Sequence, residues 1–105
     1  MMVPLFVWQG KSLHAVDPLE IMALSAEGAY TKLHLTDNRS YLVRSTLADM
    51  LKKTPEGFLF RVHRTWAVSV FYIDKVEKEV VKMGPNDIPI GKLYYDGLIS
   101  KLQVI

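Results

Sequence analysis

The sequence predicts a β-dominated domain with one or two helices, and three observations indicate this fold class. Short apolar or alternating stretches recur along the whole chain, which is the pattern typical of strands. Turn-forming residues, mainly Gly, Pro, Asn and Asp, separate these stretches. Apolar residues at helical spacing stand out in the middle of the chain and near its C-terminus, so the predicted helices are few.

The first two strands form a predicted hairpin. The stretches 4–9 and 12–16 are strand-like, and the Gly-Lys pair between them suits a short turn. The Asp-Pro pair that follows breaks the pattern, and Pro18 can open one helical turn through Glu20.

Three more strands are predicted before the chain reaches its first helix. A buried strand at 21–27 is followed, after Gly28, by an alternating strand at 30–36. In that strand Thr and Leu side chains occupy one face, and Tyr, Lys and His occupy the other, so one face is predicted to be buried. The turn cluster TDNRS then leads to a partner strand at 41–44.

A short helix is predicted after this strand. Ser45 or Thr46 can cap it, because a hydroxyl can accept a hydrogen bond from a free amide of the first turn. Leu47, Met50 and Leu51 follow at i, i+3 and i+4, which gives the helix one apolar face. The turn sequence TPEG ends it.

The second half of the chain returns to strands and closes with a helix. The predicted strands are 58–63, 66–71, two short ones within 72–83, and 88–90 after the turn GPND. Tyr94, Leu98 and Leu102 stand at i, i+4 and i+8, which predicts a helix within 92–103. Gly97 inside it costs ~1 kcal/mol relative to alanine.

Composition bounds the class of protein. Half of the 105 residues are hydrophobic, which suits one folded domain over residues 1–105. The chain has no cysteine, which excludes disulfides, zinc ribbons and thiol catalysis and fits a reducing, cytoplasmic location. No apolar run approaches the ~20 residues that span a bilayer, so no membrane contact is expected.

Catalytic and metal chemistry find little support. The three histidines are scattered, and no pair has the close spacing of a local metal site. No glycine cluster has the spacing of a phosphate loop, and Glu77 and Glu79 are most simply a solvated face. We therefore predict that the protein is not an enzyme and carries no metal or cofactor.

Charge is unevenly distributed along the chain. Residues 28–66 hold seven Lys or Arg and three Asp or Glu, a balance of +4, whereas the other positions hold six and eight, a balance of −2. A basic centre between mildly acidic ends fits a surface that meets phosphate. On charge alone, chance clustering on a solvated face is the favoured explanation.

Four stretches, taken in order, carry a resemblance to a known family. They are IMALSAEGAYTKLHL, YLVRSTLADM, FLFRVHRTWAVSVFYI and IPIGKLYYDGL. The chain resembles the LytTR family of bacterial DNA-binding domains over residues 5–102. The resemblance implies a mainly β fold with antiparallel strands in small packed sheets, one short internal helix and a C-terminal helix.

The resemblance also implies a function. Such domains bind double-stranded DNA through loops inserted in the major groove and serve as output domains of two-component transcription regulators. A C-terminal position in a longer regulator, behind a receiver or sensor domain, would fit. Repeated DNA half-sites and a homodimer on DNA are the expected assembly.

By the resemblance, three loops supply the residues that contact bases, namely Ala29 and Tyr30, His63 and Arg64, and Lys92. Arg64 is the strongest candidate, because its planar fork can bind guanine O6 and N7 together. Ala29 departs from the family pattern, which often has a polar residue there, since alanine can touch a thymine methyl but cannot hydrogen-bond a base. His63 is expected mainly to hold Arg64 in place.

Residues expected to contact phosphates are Lys32, Arg44, Ser45 and Thr46. Lys11, Arg61 and Lys75 are weaker candidates for the same role. Trp66 is expected in the core, where a large aromatic would anchor the loop before it.

Two alternatives remain open from the sequence. The chain could be a protein-interaction or ligand-sensing β module that no longer binds DNA, which Ala29 and the small net charge favour slightly. It could also bind single-stranded nucleic acid, with Tyr30 and Trp66 as stacking platforms.

Overall fold

The computed structural model describes residues 2–105 and contains three antiparallel sheets and two α-helices. The strands are β1 (Leu5–Gln9), β2 (Ser12–Val16), β3 (Ile21–Glu27), β4 (Tyr30–Leu35), β5 (Ser40–Val43), β6 (Leu59–His63), β7 (Trp66–Ser69), β8 (Lys75–Val76), β9 (Val80–Met83) and β10 (Asn86–Pro89). The helices are α1 (Leu47–Lys53) and α2 (Tyr95–Lys101), and short 3₁₀ turns occupy Pro18–Glu20 and Val70–Tyr72. This architecture confirms the predicted fold class.

A five-stranded sheet in the order β5-β4-β3-β7-β6 is the centre of the fold. The β1-β2 hairpin and a three-stranded sheet, β10-β9-β8, are separate from it. The alternation predicted for β4 is confirmed, because Thr31, Leu33 and Leu35 are buried while Tyr30 is exposed.

Two apolar cores cover the two faces of the central sheet. One includes Leu24 and Leu33 with Val7 of the hairpin and Met50 of α1. The other joins the opposite face to the three-stranded sheet and to Leu98 of α2. Removal of this apolar surface from water on both faces holds the sheet rigid and leaves its loops free to carry function.

Thr46 is the residue that caps α1. Its Oγ1 accepts a hydrogen bond from the Asp49 amide at 3.1 Å, whereas the Ser45 hydroxyl lies 3.2 Å from the Thr46 carbonyl and donates to it. The predicted turn at Pro18–Glu20 is also present, with the Leu19 amide donating to the Asp17 carboxylate at 2.9 Å.

Three elements have boundaries that differ from the prediction by two residues or more. β7 ends at Ser69 instead of residue 71, because the Ser69 hydroxyl accepts a hydrogen bond from the Phe71 amide and opens a 3₁₀ turn. β10 begins at Asn86 instead of residue 88, because the preceding turn is tight and closes through Gly84 at φ +58°. α2 covers only Tyr95–Lys101, so its predicted apolar stripe extends beyond the helix at both ends.

Candidate nucleic-acid interface

One end of the central sheet, where its strands turn, gathers loops from distant parts of the chain. The β3-β4 turn at residues 28–29 lies there, and β7 starts beside it, because Ser25 pairs with Trp66. The Ala26 amide also donates to the Thr65 carbonyl at 2.9 Å. The turns at 28–29 and 64–65 are therefore neighbours.

The loop that carries Lys92 reaches the same end. The Gly91 amide donates a hydrogen bond to the Val62 carbonyl at 2.7 Å, near the end of β6. A Cβ placed on Gly91 would lie 3.6 Å from the His63 Cα. Arg64 and Lys92, the two cations predicted to act together, therefore lie at the same end.

Arg44 and Lys11 complete this surface from the other side. β5 ends next to the start of β4, where Val43 pairs with Thr31, and Arg44 follows it. The Gln9 side chain donates to the Leu42 carbonyl at 3.0 Å, which directs the hairpin tip with Lys11 toward this end. We call the surface formed by Lys11, Ala29, Arg44, Arg64 and Lys92 the basic edge.

The opposite end of the central sheet, where β3 and β6 begin and β4 ends, is acidic. It carries Asp17, Glu20, Asp37 and Glu56, and an ion pair joins Arg39 there to Glu20. Carboxylates also lie near the basic edge: Glu27 at the end of β3, Asp49 in the first turn of α1, and Glu79 and Asp96, which line a pocket with Lys92. The end opposite the basic edge is therefore mainly acidic, whereas the basic edge gathers exposed cations, a distribution that favours an anionic partner at the basic edge.

The turn that presents Arg64 is held by hydrogen bonds between its backbone and two side chains, those of His63 and Arg61. The Thr65 amide donates to His63 Nδ1 at 3.1 Å, so this nitrogen must carry a lone pair. Arg61 spans the turn, because its Nε donates to the His63 carbonyl at 3.2 Å and its Nη2 donates to the Arg64 carbonyl at 2.5 Å. Within residues 2–105 the exposed Arg64 guanidinium makes no hydrogen bond or ion pair, so its fork is free.

Arg61 is the residue of this site that sequence reasoning placed in a different role. It was expected as a weak phosphate contact, but it is half-buried and uses its guanidinium on backbone carbonyls. The sequence carries one signal for this role: Arg61 precedes a tight turn and stands two and three residues before the carbonyls that it binds.

The first loop offers little hydrogen-bonding chemistry. Gly28 has φ +62°, a left-handed conformation that favours glycine, and it turns the chain sharply before the exposed Ala29. Tyr30 is 41% exposed and flanks the tip together with Glu27, with which it pairs. Base contact by Ala29 or Tyr30 stays a prediction.

The other residues expected to contact phosphates differ in their distance from the basic edge. Within the junction after β5, Arg44 is exposed, while the buried Thr31 hydroxyl donates to the Ser45 carbonyl at 2.8 Å and fixes the backbone. Lys32 points from the face of the sheet and lies inward from the edge. Lys11 and Arg44 are therefore better placed at the edge than Lys32.

Trp66 is half-buried and packs against the second core, so it lies at the border of the core and not in its centre. It stacks on His34, with ring centroids 5.3 Å apart, and lines a pocket with Met83 and Ile88 of the three-stranded sheet. His34 Nε2 lies 2.8 Å from the Ser25 hydroxyl. Burial lowers the pKa of His34 below its usual 6.5, and the nearby Lys32 adds to this effect.

A cleft of about 510 Å³ lies beside the basic edge, between the hairpin, β5 and α1. Its apolar wall includes Phe6, Trp8 and Leu42, which are 61%, 64% and 49% exposed, respectively. Arg44 and Lys53 also line it. The cleft adds an apolar surface to the flank of the cationic one.

Residues 2–105 contain no group of three His, Asp or Glu side chains placed to hold a metal ion. No helix in the same residues is long and apolar enough to cross a membrane.

Two known proteins are similar in sequence to this chain. The chain is 27% identical over 101 residues to the sensory transduction protein LytT of Bacillus subtilis (strain 168), which covers 90% of the chain and 42% of LytT. It is 30% identical over 74 residues to an uncharacterized response regulatory protein of Vibrio cholerae, covering 68% of the chain and 28% of that protein. The chain thus spans less than half the length of each relative.

A solved structure shares the fold. It is a LytTr DNA-binding domain of a Bacillus cereus response regulator, which superposes with a TM-score of 0.81 at 15% identity and covers 96% of this chain and 97% of that one. The family model of the LytTr DNA-binding domain matches residues 11–103, close to the predicted 5–102. The chain belongs to the LytTr DNA-binding domain family.

Proposed function

We propose that this chain binds double-stranded DNA sequence-specifically by inserting the loops of the basic edge into the major groove. The observation that carries the proposal is the convergence of Lys11, Arg44, Arg64 and Lys92 on one edge, with acidic residues on the opposite edge. Membership of a DNA-binding domain family supports the same partner. Loops on a rigid sheet are well suited to reach base edges.

The spacing of the loops suggests a division of roles. Neighbouring strands lie about 4.8 Å apart, so the turns at 28–29 and 64–65 are separated by two strand spacings, ~10 Å. The major groove of B-DNA is about 12 Å wide, so both turns fit within one groove. Arg44 follows β5, ~17 Å from the Arg64 turn, and would meet the phosphate strand that borders the groove.

Arg64 is the base reader in this arrangement. Its free guanidinium can donate two hydrogen bonds to guanine O6 and N7, worth ~1–3 kcal/mol of discrimination. Lys92 adds a second donor to the same groove, while Lys11, Arg44 and Lys32 contact phosphates and set the register. Ala29, Tyr30, His63, Ser45 and Thr46 line the contact.

The test compares two arginines of the basic edge. A duplex selected from random sequences is titrated by fluorescence polarisation, beside a scrambled duplex, with the wild type, Arg64→Met and Arg44→Met. We expect Arg64→Met to lose the preference for the selected duplex, about 5- to 150-fold, whereas Arg44→Met weakens both duplexes equally. Equal losses on both duplexes for Arg64→Met would exclude its role as a base reader.

Salt provides an independent test of the phosphate contacts. Each neutralised phosphate lowers log affinity by ~0.9 per unit of log salt. We expect binding in the micromolar range or weaker for the isolated domain, and a steep decrease between low and moderate salt. A flat titration would contradict the electrostatic part of the proposal.

We further infer that the chain acts as the output domain of a bacterial response regulator. One relative is described as a sensory transduction protein and the other as a response regulatory protein, and both extend well beyond the matched region. A receiver or sensor domain elsewhere in the polypeptide would then control pairing of two copies on repeated half-sites. Such a regulator works in the cytoplasm, where the DNA is.

A second candidate function is favoured by the cleft. Phe6, Trp8 and Leu42 expose apolar surface next to Arg44 and Lys53, which suits a protein partner or a ligand. Failure of the chain to bind any duplex at low salt, in the same polarisation assay, would favour this interaction module over DNA binding.

A further inference from the structure

The loop that carries Lys92 also presents an exposed leucine. Leu93 is 94% exposed, and among the large apolar side chains of residues 2–105 only the terminal Ile105 exceeds it. Isolated exposed apolar residues are common on protein surfaces. Leu93 differs from them because it lies at the tip of a fixed turn on the basic edge.

Hydrogen bonds at both ends hold this turn. The Tyr94 amide donates to the Gly91 carbonyl at 2.8 Å, which makes Lys92 and Leu93 the two central residues of a β-turn. The Gly91 amide donates to the Val62 carbonyl, and the Leu98 amide donates to the Tyr94 carbonyl at the start of α2. Little conformational entropy is therefore lost when the tip contacts a partner.

Gly91 lets the ring of Tyr94 support the turn from beneath. A Cβ at this position would lie 2.9 Å from Tyr94 Cδ2, closer than carbon atoms pack. With the Tyr94 ring occupying the inner side, the side chains of Lys92 and Leu93 are exposed to solvent. The tip thus presents a cation and an isobutyl group side by side.

We propose that Leu93 recognises the C5 methyl group of a thymine adjacent to the base pair that Lys92 contacts. This inference rests on the proposed function. In the major groove only thymine presents a methyl group, and apolar side chains recognise it by contact. An ammonium beside an isobutyl group therefore suits a guanine followed or preceded by a thymine.

The test removes the methyl group from the DNA and the isobutyl group from the protein. Each thymine of the selected duplex is replaced, one at a time, by deoxyuridine, which lacks only that methyl. Burial of one such group changes affinity about fourfold. We expect one or two replacements to weaken wild-type binding by that factor and to have no effect on Leu93→Ala.

Leu19→Ala is the matched control. Leu19 is 38% exposed and lies near the acidic edge, so this variant should keep the wild-type response to deoxyuridine. Because Leu93 makes no core contact, Leu93→Ala should also keep the thermal unfolding temperature of the wild type.

The possible outcomes separate the two proposals. Wild-type binding that is indifferent to every thymine methyl, or Leu93→Ala that remains as sensitive as the wild type, would overturn the role of Leu93 and leave DNA binding intact. Absence of any selected duplex would overturn both.

Discussion

The hydrogen bonds of Arg61 stabilise the turn that carries Arg64, and a substitution of Arg61 measures how much they contribute to the free energy of unfolding. Arg61→Met keeps the length of the aliphatic stem and removes the two donors that bind the carbonyls of His63 and Arg64. A hydrogen bond from a charged donor contributes ~1.5–3 kcal/mol when buried, but Arg61 is only half-buried. We therefore expect a loss of about 1–2 kcal/mol for both bonds together.

Thermal and chemical unfolding followed by circular dichroism measure this loss. For a chain of this size it corresponds to a decrease in Tm of about 5–15 °C. Amide hydrogen exchange at Thr65 adds a local readout, since that amide closes the same turn. Arg64→Met is the control, because the exposed Arg64 side chain forms no hydrogen bond or ion pair within the described residues. The free energy of unfolding of this variant should stay within ~0.5 kcal/mol of the wild type. Equal stabilities of the wild type and Arg61→Met would refute the bracing role.

Three further predictions concern positions away from the DNA contact. The lowered pKa of His34 means that the unfolded chain binds a proton more readily, so the free energy of unfolding should fall as pH drops below 6.5 through the folded pKa. His34→Gln should flatten this dependence in urea titrations; an unchanged slope would contradict it. Gly97→Ala should stabilise the protein by about 0.5–1 kcal/mol, since its Cβ would meet no atom within 4 Å and α2 gains a better helix former; a lower Tm would show that the reasoning is wrong. Thr46→Ala should cost ~1 kcal/mol through loss of the α1 cap, while Thr46→Ser should cost much less, and equal effects would exclude the cap as the cause.

Local features of the fold were readable from the sequence because they depend on neighbouring residues. Alternation in β4 indicated its buried face, and Gly28 and Gly84 marked turns in which φ is +62° and +58°. The cap by Thr46 follows from the same local chemistry. These predictions needed no knowledge of how the strands pair.

Trp66 shows what local reasoning could not supply. Its place depends on the pairing of β3 with β7, which joins segments about forty residues apart. That pairing puts Trp66 opposite Ser25, at the border of the second core, and His34 becomes its stacking partner. Hydrophobicity predicted burial, but it carries no information on which residues border the core and which lie at its centre.

The different roles of Arg61 and Arg64, and the position of Lys92 beside them, follow from one irregularity in β6. Arg61 pairs with Ala67 and His63 pairs with Trp66, so Val62 is an extra residue, a β-bulge in the ladder.

The Val62 side chain is buried in the second core, and its carbonyl accepts the Gly91 amide. The bulge therefore docks the loop of Lys92 and Leu93 against the end of β6. Arg61, on the other side of the bulge, reaches the carbonyls of the turn instead of solvent. We infer that a regular strand would not direct the Val62 carbonyl toward the Gly91 amide. The loops of Arg64 and Lys92 would then share no anchor. The bulge is thus the structural element that converts two separate basic loops into one surface with fixed spacing.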